Sequence, residues 1–168
     1  ASPSNPTGTL LPHEELQAIT DWVGNRGGFV IVDEIYDGLV YGNTINSALQ
    51  LPNENLFVIN SFSKYFCMTG WRLGWAVCPS TTIRHIEKLA QNVFICPAAT
   101  SQLAAMAAFR PDTLEVLESR RREFQKRRDF LVDGLRAMGL QINCVPGGAF
   151  YVWADCTTFR PSDEFAAL

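Results

Sequence analysis

The chain has 168 residues, of which 47% are hydrophobic and only 18% charged, with a formal net charge of -3. That length can bury a sizeable core, and the composition excludes a disordered chain. The acidic balance gives no reason to expect nucleic-acid binding, and no apolar run approaches the length of a membrane span. So low a charged share points to faces that are covered rather than wet. The five cysteines, at 67, 78, 96, 144 and 156, form no CxxC pair and no cluster with metal-ligand spacing. Wide, odd spacing of this kind fits reduced thiols, and no signal-peptide pattern is present, so the expected location is the cytoplasm. His13 and His85 both fall in expected surface helices, which argues against histidine catalysis.

The first nine residues form a turn-rich loop containing Asn5-Pro6-Thr7-Gly8. Pro12 suits a first helical position, with Glu14 and Glu15 in the first turn. Leu16, Ile19 and Val23 recur at helical spacing, and Gly27-Gly28 stops the helix. Phe29-Val30-Ile31-Val32 is a short apolar run that reads as a strand buried on both faces, ending in Asp33-Glu34. A turn-rich interval, 42–54, leads to a second strand over 56–59. A third strand is expected over 71–77, closed by Pro79.

Three helices should follow. Ile83, Ile86, Leu89, Ala90 and Val93 fit the first, the alanine-rich stretch 100–109 the second, and Pro111 opens a third running to Met138. In the third, Leu114, Leu117, Arg121, Phe124, Arg128, Leu131 and Leu135 form a heptad-like seam with two arginines in it. The charge run 120–129 reads as a solvated helix face with interspersed acids rather than a nucleic-acid patch. Gly139 caps that helix. Residues 141–145 and 149–154 read as two strands around Pro146-Gly147-Gly148, and Pro161 starts a last helix. The fold class is α/β, with parallel strands first and a smaller α+β unit after a domain change within the long helix.

Chemistry concentrates at strand ends, where ligands bind in open α/β sheets. The stretch Ser61-Phe62-Ser63-Lys64 delivers a lysine at the end of an apolar strand. Such a lysine is costly to place, easily detuned by desolvation, and suited to act as a nucleophile or imine former. Ser61, Ser63, Thr69, Gly70 and Arg72 around it suit a bound phosphate. Together they point to a lysine holding a phosphorylated aldehyde. Asp33 could hold a positive charge on a buried heterocycle nitrogen, or merely cap a following helix. Tyr36, three residues on, shares that face if a turn follows, or is ordinary packing. Arg72, inside an apolar run, needs an anionic partner, which in the plainer reading is Asp33.

Asn5-Pro6-Thr7-Gly8, Asp33-Glu34-Ile35-Tyr36, Ser61-Phe62-Ser63-Lys64 and Met68-Thr69-Gly70-Trp71-Arg72-Leu73-Gly74, in this order, resemble the class I/II aminotransferases, pyridoxal-phosphate enzymes of fold type I. Pro146-Gly147-Gly148-Ala149-Phe150-Tyr151 is also similar to the family. The resemblance implies that residues 1–115 are the second half of the cofactor-binding large domain, a mostly parallel sheet with helices. Residues 116–168 would be the linking helix and the start of the small α+β domain.

It implies Lys64 as the catalytic residue, forming the aldimine with pyridoxal 5'-phosphate and shuttling the Cα proton. Asp33 would pair with the ring nitrogen, making the ring an electron sink. Tyr36 and Asn5 would bond the ring hydroxyl oxygen, with Asn5 also near the substrate carboxylate. Ser61, Ser63 and Arg72 would bind the phosphate. The implied partners are an L-amino acid, a 2-oxo acid and a second copy of the chain.

Relative to that pattern the chain lacks the first phosphate-binding loop, the ring-stacking aromatic residue and the arginine that grips the α-carboxylate. It is therefore expected to be a fragment, inactive alone. Alternative readings are a C–S β-lyase with the same cofactor, a non-catalytic effector domain of a transcription regulator, or a phosphate-binding α/β domain in which Lys64 is only electrostatic.

Overall fold

The computed structural model describes residues 1–42, 46–51 and 54–167. Part of the turn-rich interval 42–54 lies outside the described residues. Helix α1 spans His13–Gly24, with Pro12 immediately before it rather than inside it. Glu14 and Glu15 face the positive end of the helix dipole. The inward stripe is Leu16 and Thr20, four residues apart, while Ile19 is exposed. The helix stops as expected: Gly27 takes a positive φ of 69°, and the amides of Gly27 and Gly28 donate to Gly24 O and Val23 O.

Three strands form one sheet in the order β1-β2-β3: β1 Val30–Asp33, β2 Leu56–Ser61 and β3 Gly74–Val77. β1 and β2 are parallel with Asp33 opposite Ile59; β2 and β3 are antiparallel with Ser61 opposite Gly74. Side chains alternate across a strand. Val32 and Val58 therefore pack with Leu16, Ala48, Leu51 and Leu56 into a core on one face. The other face carries Ile31, Asp33, Ile59 and Ser61. β1 is not buried on both faces, because no described element covers Ile31, which is 70% exposed.

The third strand also starts later than its apolar run. Thr69–Trp71 is a single 3-10 turn, and Arg72 takes a left-handed φ of 51°, which ends any extended path from Trp71. The strand resumes at Gly74, where a Cβ would lie 2.7 Å from Asn60 O, closer than two strands permit.

Helices α2 Ser80–Val93, α3 Ala99–Ala108 and α4 Pro111–Ala137 follow. α3 buries Ala105 and Ala108 against Phe62, beneath the β2–β3 loop. α4 begins with Pro111 in its first turn and runs unbroken past residues 115–116. Its seam holds as far as Arg128, then moves from Leu131, which is exposed, to Val132, which is buried. A straight helix turns 3.6 residues per turn, so a strict seven-residue stripe drifts off its face. Arg120, Arg122, Glu123, Lys126 and Arg127 face solvent, as a wet helix face should. Arg121 and Arg128 turn inward.

Past α4, Gly139 has φ 92° and Leu140 N–H donates to Leu135 O. The expected hairpin around Pro146 does not form a ladder. Gln141 and Asp155 make one isolated antiparallel bridge. The backbone of the turn is bonded elsewhere: Gly147 and Gly148 N–H donate to Gly8 O, Ala149 N–H to Leu39 O, and Tyr41 N–H to Gly147 O. Helix α5, Ser162–Ala166, follows Pro161.

Candidate functional site

The β2–β3 loop is folded onto itself by its own hydroxyls. Ser61 Oγ is shared between Ser63 Oγ at 2.9 Å and Leu73 O at 3.2 Å, and accepts from Ser63 N–H at 3.0 Å. Thr69 Oγ1 donates to Ser63 O at 2.5 Å. Phe62 N–H reaches Leu73 O across the neck of the loop, and Met68 N–H reaches Phe62 O. Phe62, Phe66, Trp75 and Phe109 form an aromatic cluster underneath, with centroids 4.9 to 6.3 Å apart. A loop held by short internal bonds and a packed underside presents Lys64 from a fixed base. Its amine, half-buried, lies 5.4 Å from the centroid of Tyr36 and 5.6 Å from that of Phe150. Both distances suit an ammonium over an aromatic face.

Asp33 closes β1 on the strand adjacent to the one that leads to Lys64. Its Oδ1 accepts from Ile35 N–H at 3.0 Å, a local turn, and residues 35–38 that follow form turns rather than a helix for it to cap. Successive turns carry Tyr36 back under the site, 3% exposed. The Tyr36 and Tyr151 hydroxyls are 2.6 Å apart, and the Tyr36 ring meets Phe150 and Tyr151 edge-on at 5.4 and 5.7 Å. The bond to Tyr36 is the main cause that raises the Tyr151 phenol above its ordinary value.

The N-terminal loop docks beside Asp33, since Ser2 N–H donates to Asp33 O at 3.0 Å. Its turn is closed by Ser4 N–H to Thr9 O and Gly8 N–H to Ser4 O, and Asn5 projects from it, exposed. Gly8, φ 67°, is wedged so tightly that a Cβ would fall 2.5 Å from Pro146 Cβ. Tyr36 and Lys64 are thus gathered with Phe150 and Tyr151, while Asp33 ends the strand next to the one that leads to Lys64, and Asn5 stands on the loop docked at Asp33.

Arg72 differs from its sequence reading. It is exposed, Nη1 donates to Thr69 O at 3.1 Å, and among the described residues it has no ion pair with Asp33. Its left-handed backbone turns the side chain out of the apolar run and back onto the 3-10 turn of the lysine loop.

Two inward arginines of α4 tie the site segments together. Arg121 Nη1 donates to Val40 O at 3.0 Å and Nε to Glu118 at 2.8 Å. Arg128 Nη1 donates to Pro146 O at 2.5 Å, with its guanidinium 5.0 Å from the Tyr41 ring centroid. Tyr41 donates its hydroxyl to Ala149 O, and burial pushes its phenol up to about 12. Tyr65 and Glu118 belong to the same network and were not marked by any motif. The signal for it was present in the seam: an arginine on an apolar helix face must find acceptors.

The whole chain bears on known proteins. Residues 1–165 match the model of the family described as aminotransferase class I and II. The valine–pyruvate aminotransferase of Mycobacterium tuberculosis is 44% identical over 99% of this chain and 43% of its own length. A probable aspartate/prephenate aminotransferase of Thermus aquaticus is 34% identical over 99% of this chain and 44% of its own. The crystal structure of an aminotransferase from Mycobacterium tuberculosis superposes with a TM-score of 0.93 at 41% identity, over 99% of this chain and 43% of that one. The chain thus spans less than half the length of these relatives.

Proposed function

The chain belongs to the class I and II aminotransferases, and from that premise we propose that the whole protein exchanges an amino group between an L-amino acid and a 2-oxo acid. The donor set fits pyridoxal 5'-phosphate. An amine, a carboxylate at a neighbouring strand end, a phenol, and a hydroxyl pair 2.9 Å apart near a guanidinium match its aldehyde, ring nitrogen, ring hydroxyl and phosphate. When bound, that cofactor supplies the electron sink for deprotonation of the substrate Cα.

Lys64 holds the aldehyde carbon through its amine, and the same amine, once released, moves the proton at Cα. Asp33 keeps the ring nitrogen protonated. Tyr36 and Asn5 bond the ring oxygen. Ser61, Ser63 and Arg72 hold the phosphate, which anchors the ring at a point remote from the chemistry. Residues 1–115 act as the second half of the large domain, and 116–168 as the linking helix and the start of the small C-terminal domain. The protein works in the cytoplasm as a homodimer, and turnover belongs to the whole protein rather than to these 168 residues alone. Relatives named for valine–pyruvate and for aspartate/prephenate leave the amino acid unassigned.

The observation that carries this reading is the Lys64 amine held 5.4 Å from the Tyr36 ring, with Asp33 closing the adjacent parallel strand. Adding pyridoxal phosphate to the whole protein, reducing with borohydride and mapping the peptides should place the label on Lys64. A label spread over surface lysines, or none, overturns it. Pyruvate and ammonia formed from one amino acid without a 2-oxo acid would instead indicate β-elimination.

A further inference from the structure

The residue after Lys64 is held from three sides by groups that the proposed chemistry leaves unused. The Tyr65 ring packs on Gly38 so closely that a Cβ there would lie 2.3 Å from Tyr65 Cγ. It meets Phe66 edge-on at 5.1 Å. Its hydroxyl donates to Glu118 Oε1 at 2.8 Å. Arg121 Nε then donates to Glu118 Oε2 at 2.8 Å, and Arg121 Nη1 to Val40 O at 3.0 Å. Gly38 and Val40 lie on the segment that carries Tyr36. The bonds therefore leave the lysine loop, cross one turn of α4, and return to the wall against which the Lys64 amine rests.

Resting on the function proposed above, we infer that Tyr65 and Glu118 are positioning residues that fix the backbone of Lys64 relative to Tyr36. A lysine has four side-chain torsions, so its amine is placed only as well as its Cα is. Anchoring the neighbouring residue through a phenol at ring length fixes the Lys64 Cα from which those torsions start, and small misplacements at a reacting atom are costly. Burial, then the bond to Glu118, pushes the Tyr65 phenol up to about 12, so it remains a donor at neutral pH. Burial opposes the charge on Glu118, but bonds from Arg121 and Tyr65 outweigh it and hold the carboxyl below its ordinary range.

A mere clip between the loop and α4 would lower stability and leave the chemistry alone, which separates the two roles. The test uses the whole protein with pyridoxal phosphate and compares Tyr65→Phe, Glu118→Ala and Glu118→Gln with the parent. Tyr65→Phe and Glu118→Ala should lower kcat about ten-fold with KM little changed, and should move the pH midpoint of the cofactor's visible band. Glu118→Gln, which keeps an acceptor for Tyr65 but turns an amide NH2 toward the Arg121 donor, should recover part of both. If Tyr65→Phe fails to fold, the two Glu118 variants decide, since they leave the ring in place. A lowered Tm with unchanged kcat and midpoint overturns the inference and leaves the proposed function standing. A borohydride label that persists at the parent's level in Lys64→Ala overturns both.

Discussion

The loop that carries Lys64 and the helix α2 are neighbours in sequence and are held in opposite ways. Residues 61–72 are tied by their own hydroxyls and amides, and an aromatic cluster fills the space beneath. α2 has no buried residue, although Ile83, Ile86, Leu89, Ala90 and Val93 line one side of it. Leu89 is 64% exposed and Val93 76%. The first region is tied by its own bonds over an aromatic underside, although Trp71 at its far end is 46% exposed; the second carries a regular apolar stripe and is open. Apolar periodicity therefore marks a face that is meant to be covered, whereas closure depends on which groups actually meet. The sequence relatives are more than twice as long as this chain, and the described residues contain nothing that covers the α2 stripe.

The strongest way to break this contrast is at its chemical centre. Lys64→Ala should remove covalent cofactor capture and lower turnover of the whole protein by at least about 100-fold, while the pinned loop keeps the Tm near that of the parent. Capture by the variant at the parent's level, read by borohydride labelling, would show that the closed loop is not built around this amine.

Two substitutions in the segments after Asp33 and before Phe150 test closure there. Glu34 is 4% exposed and accepts from Ser47 Oγ at 2.9 Å and Ala48 N–H at 2.6 Å. Glu34→Ala strands a buried amide and should cost about 2–3 kcal/mol in a urea melt. At Gly148 a Cβ would lie 2.6 Å from Pro3 Cγ and 2.8 Å from Leu39 O. Gly148→Ala should cost about 1–3 kcal/mol, because backbone on one side cannot give way. Costs below about 0.5 kcal/mol at both positions would mean the closed region is looser in solution than its contacts imply.

What could be read from the residues divides along the same line. Local signals were legible: Pro111 opening α4, Gly27 and Gly139 ending helices, and Asp33, Tyr36 and Lys64 at the ends of two strands that pair in parallel. Non-local competition was not. The Pro146-Gly147-Gly148 turn has the composition of a hairpin, yet its amides and carbonyls bond to Gly8, Leu39 and Tyr41, far away in sequence. Arg72 sat in an apolar run that the fold leaves largely exposed, and its left-handed backbone breaks the extended path there. Tyr65 and Glu118 lie 53 residues apart and match no pattern, so only the folded chain joins them.

Asp37 gives a smaller test, by pH. Burial, then the nearby charge of Glu34, raises its carboxyl from 3.8 to about 6. A carboxyl with a higher affinity for its proton when folded stabilises the fold fully below its unfolded value and loses that contribution as pH rises through the folded one. Stability from this group should therefore fall between pH 4 and about 6, by about 1 kcal/mol once solvent screening of a partly exposed carboxyl is allowed for. Chemical melts of the parent and Asp37→Asn across that window should converge at the high end if they are matched at neutral pH, with the parent gaining on the variant in acid. An identical pH slope for both chains would remove Asp37 from the closed region's energetics.

The smallest effect is expected on the open side, and it is the one that most directly tests the contrast. Leu89 lies in the middle of the apolar stripe of α2 but is mostly in water, so Leu89→Ala removes little buried area and even gains helix propensity. In this chain it should change stability by less than about 0.5 kcal/mol, whereas a leucine truly in a core costs about 2–5 kcal/mol. A concentration-independent change near zero leaves α2 as an open face. A cost in the core range would require that something covers the stripe in solution. If that cost also grew with protein concentration, the cover would be a second copy of the chain.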